Sequence, residues 1–201
     1  MWFLFGFSIR QIHPYQFARA FYAAELLRPE DIVLDIGCGD GFLTNHFLST
    51  QCAEVDALDI DPKAIQEAKR NNSRANIAYY LRSAVTDAFP RNKYDVIVWN
   101  GAIGHFATND TAVLLQKIAN ALQPHGIFAG SESLGHEGSD HLQFFNSTNE
   151  LKNLFQSHFA NVRTKALRYP INEATFVREE AYWKCSNSGG RLAESAWQPN
   201  C

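Results

Sequence analysis

The chain has 201 residues, of which 46% are hydrophobic and 19% charged, which is enough apolar material for one sizeable core and more than a disordered chain contains. Lysine and arginine number 18 against 21 aspartates and glutamates, and this near-balance argues against a protein that holds nucleic acid through its phosphates. The four cysteines form neither a disulfide framework nor a zinc pattern, and no apolar run reaches the roughly 20 residues of a membrane span. We therefore expect a cytoplasmic, single-domain protein that binds neither membranes nor nucleic acid.

Short β-rich runs alternate with helical patterns over much of the chain, which is typical of an α/β protein with a parallel sheet covered by helices. An N-terminal cap region at 1–28 contains an amphipathic helix over 14–27, and the main domain is expected at 29–185. Five strands are predicted in the first part of that domain, at 31–36, 53–60, 77–82, 94–99 and 126–131. Helices are predicted between them at 42–48, 62–72 and 113–122.

The pattern changes after the fifth strand. A Gly- and His-rich loop is predicted at 134–145, followed by a helix that begins at Ser147 and by strands at 160–168 and 173–184. The joint between these strands, Tyr169-Pro170, is too short for a crossover helix, so we expect a hairpin and an antiparallel end of the sheet. Residues 186–201 are polar and contain Gly189-Gly190, so they are expected to form a flexible tail.

Three glycines stand at every second position after the first predicted strand, in the segment Val33-Leu34-Asp35-Ile36-Gly37-Cys38-Gly39-Asp40-Gly41. Glycines there let the chain turn tightly and let the backbone approach a ligand that a Cβ atom would exclude. The helix that follows offers free backbone N–H groups at its N-terminus. Phe42 stands where a dinucleotide-binding Gly-x-Gly-x-x-Gly motif has its last glycine, which argues against a dinucleotide site.

A carboxylate, Asp59, ends the second predicted strand. At the tip of the strand next to the glycine turn, a carboxylate can accept hydrogen bonds from both hydroxyls of a ribose. The alternative role is the N-cap of the following helix, but Asp61, directly before Pro62, fits that role better. The sequence therefore predicts that Asp59 binds a ligand.

Together these motifs resemble the class I S-adenosylmethionine-dependent methyltransferases over about 31–161, roughly two thirds of the chain. The glycine turn resembles their first motif and Asp59 their ribose-binding acid, while Tyr94–Asn100 resembles their fourth strand and Leu122–Gly126 the turn before their fifth. The resemblance implies a doubly wound, Rossmann-like sheet of seven strands in the order 3-2-1-4-5-7-6, with strand seven antiparallel. It also implies S-adenosyl-L-methionine as the cofactor.

The resemblance further assigns cofactor-binding roles residue by residue. Asp59 should bind the ribose, Ile60 should flank the adenine, and Asn100 should lie near the transferable methyl group. The methionine part of the cofactor should be surrounded by Asp35, Gly37, Gly39 and Gly41.

One departure from the family pattern follows the third predicted strand. Many members carry an aspartate there that binds the adenine amino group, whereas this sequence has Arg82-Ser83-Ala84. The resemblance therefore implies that Ser83 and the backbone of Ala84 bind the adenine more weakly than an aspartate would.

His105 lies just past the fourth strand, where the methyl acceptor should enter. An imidazole that titrates near neutrality can accept the proton of a hydroxyl or a phenol, so His105 is the predicted catalytic residue. The alternative is a histidine that hydrogen-bonds a neighbouring loop and shapes the pocket, and the sequence favours neither strongly. A related subgroup holds a metal with acidic residues beside this histidine, but Gly101–Gly104 contains none.

The segment Glu132–His141 contains two histidines and three carboxylates, side chains that suit zinc or iron. Its glycines, however, break any helix that would place His136 and His141 on one face. We therefore interpret it as a solvated loop on the substrate side and predict no metal site.

The leading interpretation is a methyltransferase that acts on a small-molecule substrate, with oxygen as the favoured acceptor atom. A nicotinamide-dependent oxidoreductase is disfavoured by Phe42 and by the absence of a Tyr-x-x-x-Lys pattern. A non-catalytic protein that binds S-adenosylmethionine stays open as an alternative, because fold resemblance alone does not exclude it. The sequence indicates neither the identity of the acceptor nor the oligomeric state.

Overall fold

A computed structural model describes residues 13–136, 139–170, 177–188 and 190–193, which form one mixed sheet with helices on both faces. Strands β1 to β7 span Ile32–Ile36, Glu54–Asp59, Ile77–Leu81, Tyr94–Asn100, Leu122–Ser133, Asn161–Pro170 and Val177–Ser186. Helices α1 to α5 span Pro14–Ala24, Pro62–Asn71, Thr108–Ala121, Thr148–Gln156 and Gly190–Ala193. None of the described helices is long and apolar enough to cross a membrane.

The strand order is β3-β2-β1-β4-β5-β7-β6, as the family resemblance implies. The ladders from β3 to β5 are parallel, and β7 runs antiparallel to both β5 and β6. In the β1–β2 ladder Ile36 pairs with Leu58, so the carboxyl ends of the two strands lie side by side. The predicted fold class is confirmed.

Two apolar layers cover the sheet because alternate strand residues point to opposite faces. One layer joins Val33 to residues of α1, α2 and the segment before β2, namely Ala23, Leu48, Ile65 and Ala68, with Val55, Ala57, Val96 and Val98 from other strands. The other layer joins Leu34 to residues of α3 and α4, including Leu114, Leu115, Ile118, Leu151 and Phe155. Helices on both faces leave the carboxyl edge of β1, β2 and β4 as the place where loops gather.

The helix predicted at 42–48 is largely a π-helical turn, Thr44–Leu48. Its defining bond runs from the Ser49 N–H to the Thr44 carbonyl at 2.9 Å, five residues apart. Such turns are frequent at functional sites, and this one directly follows the glycine turn.

The joint predicted at Tyr169-Pro170 is wrong in position, although the hairpin itself is present. Both residues belong to β6, where Tyr169 pairs with Arg178 and Pro170 with Val177. The connection therefore falls in 171–176, outside the described residues.

The prediction of a flexible tail from residue 186 is wrong at its start. Ser186 is the last residue of β7, and α5 follows at Gly190–Ala193. Leu192 is 3% exposed and packs in an apolar cluster with Leu26, Ile127 and Ala129. Residues 194–201 and the first twelve residues of the cap region lie outside the described part of the chain.

Candidate functional site

The glycine turn between β1 and the π-helical turn contains three residues with positive φ: Gly37 at 71°, Gly39 at 56° and Gly41 at 75°. This left-handed region favours glycine because the Cβ atom of any other residue would crowd the neighbouring backbone there. A Cβ atom on Gly41 would overlap the hydroxyl of Tyr79, whereas a Cβ on Gly39 would meet nothing within 4 Å. Gly41 therefore serves packing, and Gly39 presents bare backbone to open space.

Asp59 lies beside this turn and contacts it directly. Its Oδ2 accepts a hydrogen bond from the Gly39 N–H at 2.9 Å, and its Oδ1 accepts one from the Asp61 N–H at 2.9 Å. Asp61 is the N-cap of α2 and accepts from the Lys63 N–H at 2.8 Å, so the predicted helix-capping role of Asp61 is confirmed. Each Asp59 oxygen keeps lone-pair capacity for a further donor.

Asp35 is a buried carboxylate at the end of β1, only 6% exposed. Its Oδ2 accepts a hydrogen bond from the Thr44 hydroxyl at 2.6 Å. Burial raises the pKa of Asp35 to about 6; the bond from Thr44 lowers it and the charge of Asp59 adds to the rise. Asp35 also lines a small cavity together with Gly37 and Asn100.

A cleft of about 330 Å³ crosses the carboxyl edge of the sheet. It brings together most of the predicted site residues, namely Gly37, Asp59, Ile60, Ser83, Ala84 and His105. Asp35 and Asn100 line the small cavity instead, while Gly39 and Gly41 line neither space. The glycine turn, the tip of β2 and the turn after β4 therefore share one site.

The segment after β3 is fixed by its own hydrogen bonds. The Ser83 hydroxyl accepts from the Thr86 N–H at 3.2 Å, and the Ser83 N–H donates to the carboxylate of Asp87 at 2.9 Å. The Ala84 carbonyl accepts from the Lys117 ammonium at 2.7 Å. Ser83 and Ala84 still line the cleft, and Asp87, the nearest carboxylate in sequence, supports the loop from outside it.

His105 ends a short 3-10 turn, Ile103–His105, and lines the cleft. Its Nδ1 is 3.4 Å from the backbone oxygen of Asp140, and its ring packs edge-on against His141 with 4.4 Å between ring centres. The contact with the backbone of Asp140 fits a histidine that shapes the pocket, and the position in the cleft wall fits a histidine that accepts a proton. One side chain meets both descriptions.

Two buried charged groups near the cleft are absent from the sequence analysis as site residues. The Arg19 guanidinium, from α1, lies against Gly101 and donates to the carboxylate of Glu180. Glu132, 2% exposed at the end of β5, accepts from the Gly104 N–H at 3.1 Å. The sequence offers little that marks these two residues as part of a site: Arg19 is an arginine next to an apolar position of α1, and Glu132 is a carboxylate near the end of a strand.

Comparison with known proteins supports a specific family. A family model described as a methyltransferase domain matches residues 33–126. Ribosomal protein L11 methyltransferase from Burkholderia orbicola is 30% identical over 118 residues, which are 57% of this chain and 36% of that protein. The chain thus spans little more than a third of the length of the curated relatives it matches.

Solved structures share the fold. A SAM-dependent methyltransferase from Leishmania major matches with a TM-score of 0.66 at 23% identity, covering 84% of this chain and 70% of that one. The N-methyltransferase NodS from Bradyrhizobium japonicum, in complex with S-adenosyl-L-homocysteine, matches with a TM-score of 0.66 at 15% identity, covering 87% and 89%. Residues 33–126 therefore match a methyltransferase domain, and the chain shares its fold with S-adenosylmethionine-dependent methyltransferases, in agreement with the class I resemblance of the sequence.

Proposed function

We propose that this protein is an S-adenosylmethionine-dependent methyltransferase that transfers the methyl group to a hydroxyl of a small-molecule acceptor. The observation that carries the proposal is the single cleft between the tip of β2 and the turn after β4. Asp59 from the tip of β2 and His105 from the turn after β4 both line this cleft, together with Gly101 and Phe106. The cleft thus offers a nucleoside end and an acceptor end in one space.

The residues at the nucleoside end fit the cofactor. The two carboxylate oxygens of Asp59 have capacity for the two ribose hydroxyls, and charge-assisted hydrogen bonds of this kind are the strong ones. Ile60 is 72% exposed at the cleft, which offers apolar surface to one face of the adenine. Open space at Gly39 lets the ligand approach the backbone.

Charged groups beside the small cavity fit the zwitterionic methionine part. Ala20, Asp35 and Asn100 line this cavity, and Arg19 precedes Ala20 on α1 with its guanidinium against Gly101. We assign the cofactor's carboxylate to Arg19 and its ammonium group to Asp35. The ammonium would favour the ionised form of Asp35 and so lower the pKa that burial has raised.

When bound, S-adenosylmethionine supplies an electrophilic methyl carbon, and sulfur keeps the electron pair of the C–S bond as the acceptor oxygen forms the new C–O bond. The protein aligns the two reactants and excludes water. Phe106 contributes to the cleft wall and packs edge-on against the buried Trp99, with 5.0 Å between ring centres. His105 is the side chain proposed to accept the hydroxyl proton.

A protein acceptor is the second candidate, because the curated relatives are ribosomal protein L11 methyltransferases. Two arguments favour the small molecule. The cleft volume, about 330 Å³, lies at the low end of the range for small-molecule sites, and the formal net charge of −3 offers no general attraction to ribosomal nucleic acid. The cytoplasmic location expected from the sequence stays a prediction.

Labelling would decide between these acceptors. The purified protein is incubated with S-adenosylmethionine carrying a radioactive methyl group and with a cell extract separated into small-molecule and macromolecular fractions. Label transferred to the small-molecule fraction supports the proposal, and label on protein supports the second candidate. Cofactor binding without transfer to either fraction would indicate a non-catalytic binding protein.

A further inference from the structure

Three side chains with metal-binding chemistry meet beside the cleft. His105 comes from the turn after β4, and Asp140 and His141 come from the loop between β5 and α4. One ligand atom from each lies within 4.8 Å of the others. In the sequence, His136 and His141 are the histidines considered together as possible metal ligands, whereas in the structure His141 lies beside His105.

Hydrogen bonds hold the two segments together. The N–H groups of Leu142 and Gln143 both donate to the Gly104 carbonyl, at 2.8 and 3.2 Å. The Gln143 side-chain amide donates to the Ile103 carbonyl at 2.9 Å and to the Thr111 hydroxyl at 2.6 Å. The residues next to His105 and His141 are therefore anchored to each other, and the cluster does not depend on chance contact between two exposed loops.

Gly104 makes room for one of the histidines. A Cβ atom at this position would stand 2.7 Å from the Nδ1 of His141 and 2.9 Å from its Cε1. Any other residue at 104 would push the His141 imidazole away from the turn that carries His105. The close approach of the two rings thus requires the glycine that separates Ile103 from His105.

We propose that His105, Asp140 and His141 bind a divalent transition-metal ion. Two imidazoles and one carboxylate suit zinc, iron or cobalt better than magnesium or calcium. Ligand atoms about 2.0–2.2 Å from one ion lie roughly 2.8–3.6 Å apart at octahedral or tetrahedral angles. The Nδ1 of His105 is 3.5 Å from the Oδ2 of Asp140, which lies within this range, and all three ligand atoms lie within 4.8 Å of one another.

The second step of this inference rests on the proposed function. Three protein ligands leave coordination positions open, as in catalytic metal sites. Because His105 lines the cleft, an ion bound to its imidazole would lie beside the cleft wall, where it would bind the acceptor oxygen while the hydroxyl proton passes to solvent water. An imidazole bound through Nδ1 keeps its proton on Nε2, so in the metal-bound protein His105 is a ligand and the ion replaces it in activating the hydroxyl.

Metal binding is tested on the full chain, freed of metal with a chelator and of any affinity tag, in the absence of cofactor. Titration with Co²⁺, followed by its visible absorption, and with Zn²⁺, followed by calorimetry, should show one saturable site. Even the loss of a partner that only supports a ligand typically lowers metal affinity 10–100-fold. His141 and Asp140 are proposed as direct ligands, so His141→Ala and Asp140→Asn should each weaken binding at least about tenfold.

His125→Ala is the matched control. His125 is an exposed histidine of β5 that hydrogen-bonds Ser188 and does not belong to the cluster. This variant should bind Co²⁺ as the wild type does. Unaltered S-adenosylmethionine binding by His141→Ala shows that the variant is folded. Absence of saturable binding, or equal affinity in the His141→Ala and His125→Ala proteins, would overturn the metal site.

The acceptor step has its own measurement. Acetohydroxamate, a small bidentate oxygen ligand, should change the visible spectrum of the Co²⁺-loaded wild type if coordination positions are open. An unchanged spectrum would overturn this step. Neither measurement uses methyl transfer, so the metal site can fail while the methyltransferase proposal stands, and the reverse also holds.

Discussion

At the scale of single residues, two neighbouring carboxylates at the end of β2 have different tasks. Asp61 caps α2, while Asp59 accepts from the glycine turn and faces the cleft. We predict that Asp59→Ala weakens S-adenosylmethionine binding at least about tenfold, because charge-assisted hydrogen bonds contribute about 1.5–3 kcal/mol. Calorimetry measures the affinity, and thermal unfolding shows whether the variant is folded.

The control is Asp61→Ala. Loss of the N-cap should lower the free energy of unfolding by about 0.5–2 kcal/mol and leave cofactor affinity within about twofold of the wild type. Equal cofactor affinity in the Asp59→Ala protein and the wild type would remove Asp59 from the ribose site.

Asp35 makes stability depend on pH. Its pKa of about 6 exceeds the ordinary value of 3.8, so between these values the folded chain binds more protons at this group than the unfolded chain. The stability that Asp35 contributes is therefore fully present below about pH 4 and is lost as the pH rises through 6. The difference between the two pKa values corresponds to roughly 3 kcal/mol.

Asp35→Asn removes this titration. Relative to the wild type, its free energy of unfolding should rise by up to roughly 3 kcal/mol between pH 4 and pH 7, measured without cofactor by urea unfolding. A difference between the two proteins that stays constant with pH would show that burial of Asp35 does not penalise its charged form.

The two roles of His105 differ in their pH dependence. If His105 accepts the proton in metal-free protein, turnover should fall at acid pH, because a protonated imidazole cannot accept a second proton. His105→Gln should then lower turnover by about 10²–10⁴-fold without changing cofactor affinity. Superimposable pH–rate profiles for the two proteins, on one acceptor, would leave His105 only a pocket-shaping role.

At the scale of elements, the turn between β1 and the π-helical segment separates a ligand-facing glycine from a packing glycine. Gly39→Val should abolish cofactor binding, since the side chain would enter the ligand's space and strain the backbone at a φ of 56°. Gly41→Ala should instead lower the melting temperature, because its methyl group overlaps Tyr79. Normal cofactor binding by a folded Gly39→Val protein would reduce the motif to a structural turn.

The elements that the sequence predicts well are those whose signals are local. The strands from β1 to β4 are apolar runs bounded by turn residues, and the cap at Asp61 is readable from the proline that follows it. The predicted start of β5 is wrong, because Leu122–Gly126, which has the residues of a turn, belongs to the strand. The hairpin joint was misplaced because Tyr169 and Pro170 look like turn residues but pair at the end of β6. Pro170 is tolerated there because β6 is the edge strand of the sheet.

At the scale of the whole molecule, the parts that the sequence could not predict join distant segments. Arg19 contacts Glu180 and Gly101, and His105 contacts the loop at 139–141, although these residues are far apart in the sequence. No periodicity in the sequence encodes such pairs. The residues proposed to bind the cofactor could therefore be named from motifs, whereas those around His105 are brought together by tertiary structure.

An ion pair joins α5, the last described helix, to the residue that precedes β1. Arg191 of α5 donates to both carboxylate oxygens of Asp31, which is 2% exposed and precedes β1. Removing one partner of a buried ion pair leaves the other charge uncompensated, which typically costs about 3–5 kcal/mol. We predict that Arg191→Met lowers the free energy of unfolding by about 3 kcal/mol, since Asp31 keeps one hydrogen bond from the Arg28 N–H at 2.8 Å.

Arg70→Met is the comparison for this prediction, because Arg70 pairs with Glu67 on the surface of α2, with side chains 70% and 41% exposed. Exposed pairs contribute little, so this variant should stay within about 0.5 kcal/mol of the wild type. Urea unfolding of the three proteins gives both differences. If Arg191→Met were as stable as Arg70→Met, the ion pair between α5 and Asp31 would not contribute to the stability of the folded domain.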